Sequence, residues 1–427
     1  MTVTSSALAI KGGEAAVKDD AEDVFRWPIV TAEDEEAVLD VLRRGAMSGT
    51  DVTLKFEEEI KAWHQMDYAL CHSNGTQAIQ AAMWACGVRA GDEIICQSMT
   101  YWASAMQVFS LGGTVVFADM DPQTLTLDPA DIERHITPRT KAIVAVHYCA
   151  YPTDMDPIME IAAKHGLKVI EDVSHAQGGL YKGRLLGTIG DVGAMSIMSG
   201  KSLPCGEGGF LITNEQKIYD RAVSFGHYQR SRNIEDPELK PFQGMPLGGY
   251  KNRMNQMSSA MGQVQLRHYR QRVEEIQRSM HYFWDLLEGV PGLKAHRPPA
   301  DSDCTMAGWY AAKGLYVAEE LDGLPVERFC EAVSAELGGV WGCLPGGNPL
   351  MHLHPAFNEA DVYGHGKPTR IAFSDRDLRQ GPGSLPVTES LPQRMYSIPW
   401  FKRYRPAFIE QCAQAYRKVA ENADQLL

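Results

Sequence analysis

The sequence predicts an α/β protein: a large domain with a mostly parallel central sheet covered by helices, and a smaller α+β C-terminal domain. Three observations carry that expectation. From Tyr68 to about residue 214, short apolar runs alternate with helical patterns, which implies strands buried on both faces and joined by helices. A long helical pattern over residues 254–289 then ends near Gly289, Pro291 and Gly292. The remainder mixes one short strand, isolated helices and a Pro- and Gly-rich stretch at 344–390. These features divide the chain into a polar, mobile tail (1–22), a large domain (23–275) and a small domain (276–427).

The tail has no basic segment followed by a long apolar run, so it does not read as a signal peptide. Thr31, with Asp34 three residues on, Val38, Val41 and Leu42 on one face and Gly45 behind, predicts a capped helix. Phe56, Ile60 and Trp63 mark a second. EIICQ (93–97), TVVFAD (114–119), AIVAVHY (142–148) and LKVIED (167–172) predict buried strands, and Asp128 before Pro129 and Asp154 predict helix starts. Residues 94–118 carry no charge and are long enough to cross a bilayer. Gln97, Ser98, Thr100, Ser104, Gln107, Ser110, Gly112 and Gly113 interrupt them, so a buried strand, helix, strand unit is expected instead. DVGAMSIM (191–198) and GGFLITN (208–214) extend the sheet, and residues 232–249 read as a long loop. GLYVA (314–318), a helix around VERFCEAVSAEL and a last helix from about 405 make up the small domain.

With 427 residues, 44% hydrophobic and 22% charged, the chain is neither disordered nor fibrous. Its 41 basic residues against 54 acidic ones leave a formal charge of −13 and no dense basic run, so neither nucleic acid nor an anionic membrane is an expected partner. The nine cysteines are widely spaced and suggest no disulfide framework or zinc knuckle, which fits a reducing cytoplasm. No HExxH occurs, and His352, His354 and His365 lie in a loop without a carboxylate pattern, so no metal is expected.

In open parallel sheets ligands bind beyond the carboxyl ends of the strands, which selects three places. Ser73, Asn74, Gly75 and Thr76 precede a helix, whose free N–H groups and positive end suit a phosphate; the same pattern also serves as a plain N-cap. Glu171 and Asp172 end an apolar strand, where one carboxylate can meet a cationic nitrogen, with His175 close by. Lys201 stands between Ser199, Gly200 and Ser202 just past a buried strand, where partial burial makes a lysine a nucleophile. GKS imitates the end of a Walker A loop, but Met195 occupies the position of the required first glycine and Pro204 disrupts the helix such a loop opens. No GxGxxG occurs. A phosphate cradle, an acid and a lysine 29 residues after it are together what pyridoxal phosphate asks for.

At this point the sequence resembles the DegT/DnrJ/StrS family of sugar aminotransferases, pyridoxal 5′-phosphate enzymes of the aspartate aminotransferase fold (fold type I). The resemblance runs from about residue 26 to the last helix and is most specific in SNGTQAI, GDEIICQSMTYWASA, PTDMDPIMEIAAKHGLKVIEDVSHAQGG, GDVGAMSIMSGKSLPCGEGGFLIT and LPVTES. It implies that Lys201 binds the cofactor and shuttles the proton, that Asp172 meets the pyridine nitrogen, and that Gly75, Thr76 and Ser196 hold the phosphate. It implies a ring stacked on the cofactor from Tyr101, or from Trp102 if the turn differs, and places His175 near the phenolic oxygen. It further implies a homodimer with sites at the subunit interface, and amino transfer from glutamate or glutamine to a keto-sugar, nucleotide-linked or free, or a ketocyclitol. A dehydratase of the same family carries histidine in place of the lysine, and a cofactor-binding regulator without turnover has no need of Lys201, Asp172 and Thr76 together. Three places depart from the family pattern. In YKNRMNQMSSAMG (250–262), Lys251 stands where an Asn commonly reaches the neighbouring subunit's phosphate, with Asn252 beside it. Cys149 and Ala150 replace a frequent Tyr and Gly, and 344–390 matches least.

Overall fold

A computed structural model describes residues 7–20 and 22–427. In chain order its strands are β1 (Tyr68–His72), β2 (Glu93–Gln97), β3 (Thr114–Ala118), β4 (Thr140–Val146), β5 (Lys168–Asp172), β6 (Leu180–Tyr181), β7 (Arg184–Leu185), β8 (Val192–Ser196), β9 (Gly209–Thr213), β10 (Leu293–Ala295), β11 (Lys313–Tyr316) and β12 (Met395–Ser397). Seven of them form one sheet in the order β1-β9-β8-β5-β4-β2-β3. The pairs from β8 through β3 are parallel, whereas β9 runs antiparallel to both β8 and β1. β10, β11 and β12 form a separate antiparallel sheet.

Neighbouring residues on each central strand supply opposite cores. Ile95, Ile143 and Val169 join one buried cluster, and Ile94, Val144 and Ile170 join the other. Continuous apolar runs are therefore required, because both pleat faces are covered. The uncharged 94–118 stretch folds as β2, two 3₁₀ turns (Trp102–Ser104 and Met106–Leu111) and β3. Among the described residues no helix is long and apolar enough to cross a membrane.

The helix Ala32–Arg43 begins with the expected box: Asp34 accepts the Thr31 N–H (2.8 Å) and hydroxyl (2.7 Å). The helix Gln256–Leu286 is continuous through position 275, so the chain passes from one sheet's surroundings toward the other without a break. The tail differs from the mobile segment expected. Leu8 is fully buried, and Glu336 accepts the N–H groups of Ala9 (2.7 Å) and Ala16 (3.0 Å). The apolar run Ala7–Ile10 has a core to enter on the C-terminal unit, a contact more than 300 residues distant in sequence. Positions 1–6 and 21 lie outside the described residues.

The 344–390 stretch adds no strand to either sheet, although its first residues pair with β12 through Pro345 and Tyr396. It covers the exposed edge of β3 with side chains: Gln380 accepts the Phe117 N–H (3.1 Å) and donates to the Phe117 carbonyl (2.8 Å), and the buried Arg370 donates to the Val115 carbonyl (3.2 Å). These bonds occupy backbone groups that would otherwise invite edge-to-edge pairing.

Candidate active site

A crevice of about 390 Å³ opens beyond the carboxyl ends of β1, β4, β5 and β8. Gly75, Thr76, Tyr101, Asp172, His175, Ser196 and Lys201 all line it.

After β1 the chain turns into the helix Gly75–Ala85, with Asn74 as cap: its side chain accepts the Gln77 N–H (2.9 Å) and its carbonyl the Ala78 N–H (3.2 Å). The remaining first-turn N–H groups belong to Gly75 and Thr76, at the positive end of the helix. A Cβ at position 75 would lie 2.5 Å from Ser196 Cβ, so only glycine lets this cradle close against β8.

The two acids at the end of β5 point to opposite faces, as successive strand residues must. Asp172 accepts from Ser104 Oγ (2.7 Å) and from the Ser174 N–H (3.0 Å), and lines the crevice. Glu171 is fully buried on the other face, bonded to His147 (3.1 Å) and to the N–H groups of Gly187, Ile189 and Gly190 (2.7–2.8 Å). Burial pushes that carboxyl up, but the His147 ring and these N–H groups hold it below its ordinary value. Glu171 is thus structural, and Asp172 is the acid open to a ligand.

Lys201 follows β8 in a turn closed by its N–H to the Met198 carbonyl (2.8 Å), and Trp27 Nε1 donates to its carbonyl (2.8 Å). Lys201 is only 7% exposed. Burial lowers the amine to about 8 against the opposing pull of the Asp172 carboxylate. The Nζ lies 4.2 Å from the centroid of the Tyr310 ring, which favours the charged form only modestly. His175 packs between Tyr148 and Tyr310, with centroids 5.6 and 4.8 Å away. Burial, with the Lys201 charge alongside, holds its ring well below the ordinary histidine value, so it is neutral. Tyr101 lines the crevice and Trp102 does not, although the two rings are 5.0 Å apart.

Lys251 and Asn252 lie elsewhere. Asn252 is fully buried in its own chain: its carbonyl accepts the Ser73 N–H (2.8 Å), and its side-chain amide atoms lack partners among the described residues. Lys251 is exposed, beside Arg230 and Arg253 in a separate small pocket.

Several crevice contributors carry no signal in the sequence. Ser104 reaches Asp172 across 68 positions. Tyr310 arrives on a loop in which Asp303, Ala307, Trp309 and Ala311 all have positive φ (45–57°), a conformation that costs roughly 1–2 kcal/mol per non-glycine residue. The surroundings impose it: Thr305 pairs with Leu180, Trp400 Nε1 donates to the Gly308 carbonyl (2.8 Å), and Trp309 is fully buried. Asn348 comes from the 344–390 stretch.

A partly neutral buried amine, a carboxylate lining the same crevice and an N–H cradle at a helix N-terminus together fit pyridoxal 5′-phosphate. Comparison with known proteins agrees. The chain is 33% identical over 415 residues to an L-glutamine:2-deoxy-scyllo-inosose aminotransferase of Streptomyces kanamyceticus, covering 93% of each chain. It is 35% identical over 246 residues to a GDP-perosamine synthase of Escherichia coli O157:H7, covering 56% of this chain and 64% of that protein. An X-ray structure of an aminotransferase from Psychrobacter cryohalolentis superposes with a TM-score of 0.79 at 28% identity, over 93% of this chain and 99% of that one. Residues 28–337 match the model of the DegT/DnrJ/EryC1/StrS aminotransferase family. With a site fitted to that cofactor and a family model spanning most of the sequence, this chain belongs to the DegT/DnrJ/EryC1/StrS aminotransferases and is a pyridoxal-phosphate-dependent transaminase.

Proposed function

We propose that the protein moves an amino group from glutamine or glutamate to a keto-sugar, nucleotide-linked or free, or to a ketocyclitol, in two successive half-reactions through one crevice. The observation that carries this reading is a lysine lowered to about 8 facing Asp172 beside the Gly75–Thr76 cradle. The relatives' names, an inosose aminotransferase and a perosamine synthase, support a polyhydroxylated acceptor. Amino-sugar, aminocyclitol or antibiotic biosynthesis is the setting they suggest.

When bound, pyridoxal phosphate supplies an electron sink for the carbon that loses its proton. Lys201 holds the cofactor between turnovers. Its amine, lowered to about 8 by burial, would be the group that takes up and gives back a proton at the reacting carbon. Asp172, fixed by Ser104 and Ser174, would meet the pyridine nitrogen and favour its protonated form. The N–H groups of Gly75 and Thr76 and the Ser196 hydroxyl would hold the phosphate, with Tyr101 and neutral His175 lining the same crevice as the groups that would contact the ring. In a homodimer, exposed Lys251 would be the residue able to reach the phosphate of the second protomer, whereas Asn252 is buried in its own chain. The exposed apolar side chains Leu54, Phe242, Met245 and Leu247 support such an interface, and nine free cysteines support a cytoplasmic enzyme.

The test is to convert the protein to its amino-loaded form with glutamine or glutamate and offer free keto-sugars, nucleotide-linked keto-sugars and ketocyclitols. Return of the visible absorbance with one of these is the expected result. Loss of the absorbance with the donor and no return with any of them would overturn the acceptor assignment.

A further inference from the structure

Asn348 borders the crevice from beyond residue 337, where the match to the family model ends. Its position is tightly held. The Tyr148 hydroxyl donates to Asn348 Oδ1 (2.7 Å) and accepts the Asn348 N–H (3.0 Å). On one side, Lys313 Nζ donates to the Gly346 carbonyl (2.7 Å). A Cβ at Gly347 would lie 2.8 Å from Tyr148 Oη, so the chain approaches Tyr148 more closely than any side chain would allow. On the other side, Leu350 pairs with Met99, the Met351 N–H donates to the Ser98 carbonyl (3.2 Å), and His352 is locked to Ser98 (2.6 Å) and Glu389 (3.1 Å).

This arrangement commits the carboxamide oxygen, and among the described residues the Nδ2 hydrogens have no acceptor, which leaves them as donors on a residue that lines the crevice. An uncharged donor suits a hydroxyl. A carboxylate or phosphate is better met by a guanidinium, which forms charge-assisted, bidentate bonds. We infer that Asn348 recognises a ring hydroxyl of the polyhydroxylated ketone, donating from Nδ2, and that Tyr148 positions it. The inference rests on the function proposed above. Such a bond discriminates well, because an acceptor without the hydroxyl leaves the amide unpaired.

The test uses full-length holoenzyme, wild type, Asn348→Ala, Asn348→Asp and Tyr148→Phe, with the two half-reactions followed separately by visible absorbance. The donor probe is glutamine. The acceptor probe is 2-deoxy-scyllo-inosose or the ketone returned by the acceptor screen. Asn348→Ala and Asn348→Asp should each lower kcat/KM for the ketone about tenfold, mainly through KM, and Tyr148→Phe about threefold. The glutamine half-reaction should stay within about twofold of wild type. Asn348→Asp keeps the shape and loses the donors, so it carries the test if Asn348→Ala does not fold. Equal losses in both half-reactions, or an unchanged ketone half-reaction in the Asn348 variants, would overturn the inference and leave the proposed function standing. A wild type that consumes glutamine but no ketone would overturn the proposed function, and this inference with it.

Discussion

The Gly75, Asp172, Ser196 and Lys201 wall of the crevice sits at the ends of sheet strands, whereas Tyr310 and Asn348 reach the same crevice on irregular backbone. Lys201 is oriented by a turn that starts three residues earlier, and Gly75 by a cap one residue away. Asn348 is held by Tyr148 from 200 positions away, on a segment latched through His352 to Ser98, 254 positions away. The wall proposed for the cofactor is thus built mainly on strand ends and local turns, braced by Trp27 and Ser104, whereas the wall proposed for the acceptor depends on contacts between distant segments. The first can stay constant while the second varies, because altering a loop bond leaves the strand ends in place.

That contrast can be broken at several points. Lys201→Ala should have the largest effect, lowering the glutamine half-reaction at least about a thousandfold with little change in melting temperature. Next, the adjacent acids should separate. Asp172→Ala should slow that half-reaction about a hundredfold or more while folding normally. Glu171→Ala should instead cost about 3–5 kcal/mol in denaturant unfolding, since it strands His147 and three N–H groups. The opposite pattern would show that the acid had been misassigned. His352→Ala, which opens the latch, should cost about 1–3 kcal/mol and speed hydrogen exchange across 344–390 while β5 and β8 stay protected. Faster exchange in the strands would mean that the two walls are not independent.

A smaller, global effect comes from pH. Burial holds His64, His72 and His296 at about 4 in the folded protein, against 6.5 ordinarily. Between those values the unfolded chain binds more protons, so stability falls as pH drops through 6.5 toward 4. Thermal unfolding from pH 7.5 to 4.5 should show a falling melting temperature, with the steepest fall below pH 6.5.

Much of this fold was legible because its signals are local. EIICQ coincides with β2 and LKVIED contains β5, since a strand covered on both faces must be apolar throughout. The candidate residues at 75, 76, 172, 196 and 201 announce themselves by standing just past such strands. The antiparallel direction of β9 was not legible, because GGFLITN reads the same in either direction. The Leu8 contact with the far core, the Tyr310 loop and the Asn348 anchor were hidden for another reason. Each depends on a partner more than 100 positions away, and no period or spacing records such a pairing.

The proposed chemistry depends above all on Lys201 carrying the cofactor in this crevice. Borohydride reduction of the purified holoenzyme, followed by peptide mass mapping, tests it most directly. One pyridoxyl adduct is expected, on the peptide containing Lys201, and none after incubation with the amino donor. An adduct on another lysine, or a folded protein that takes up no cofactor, would contradict it.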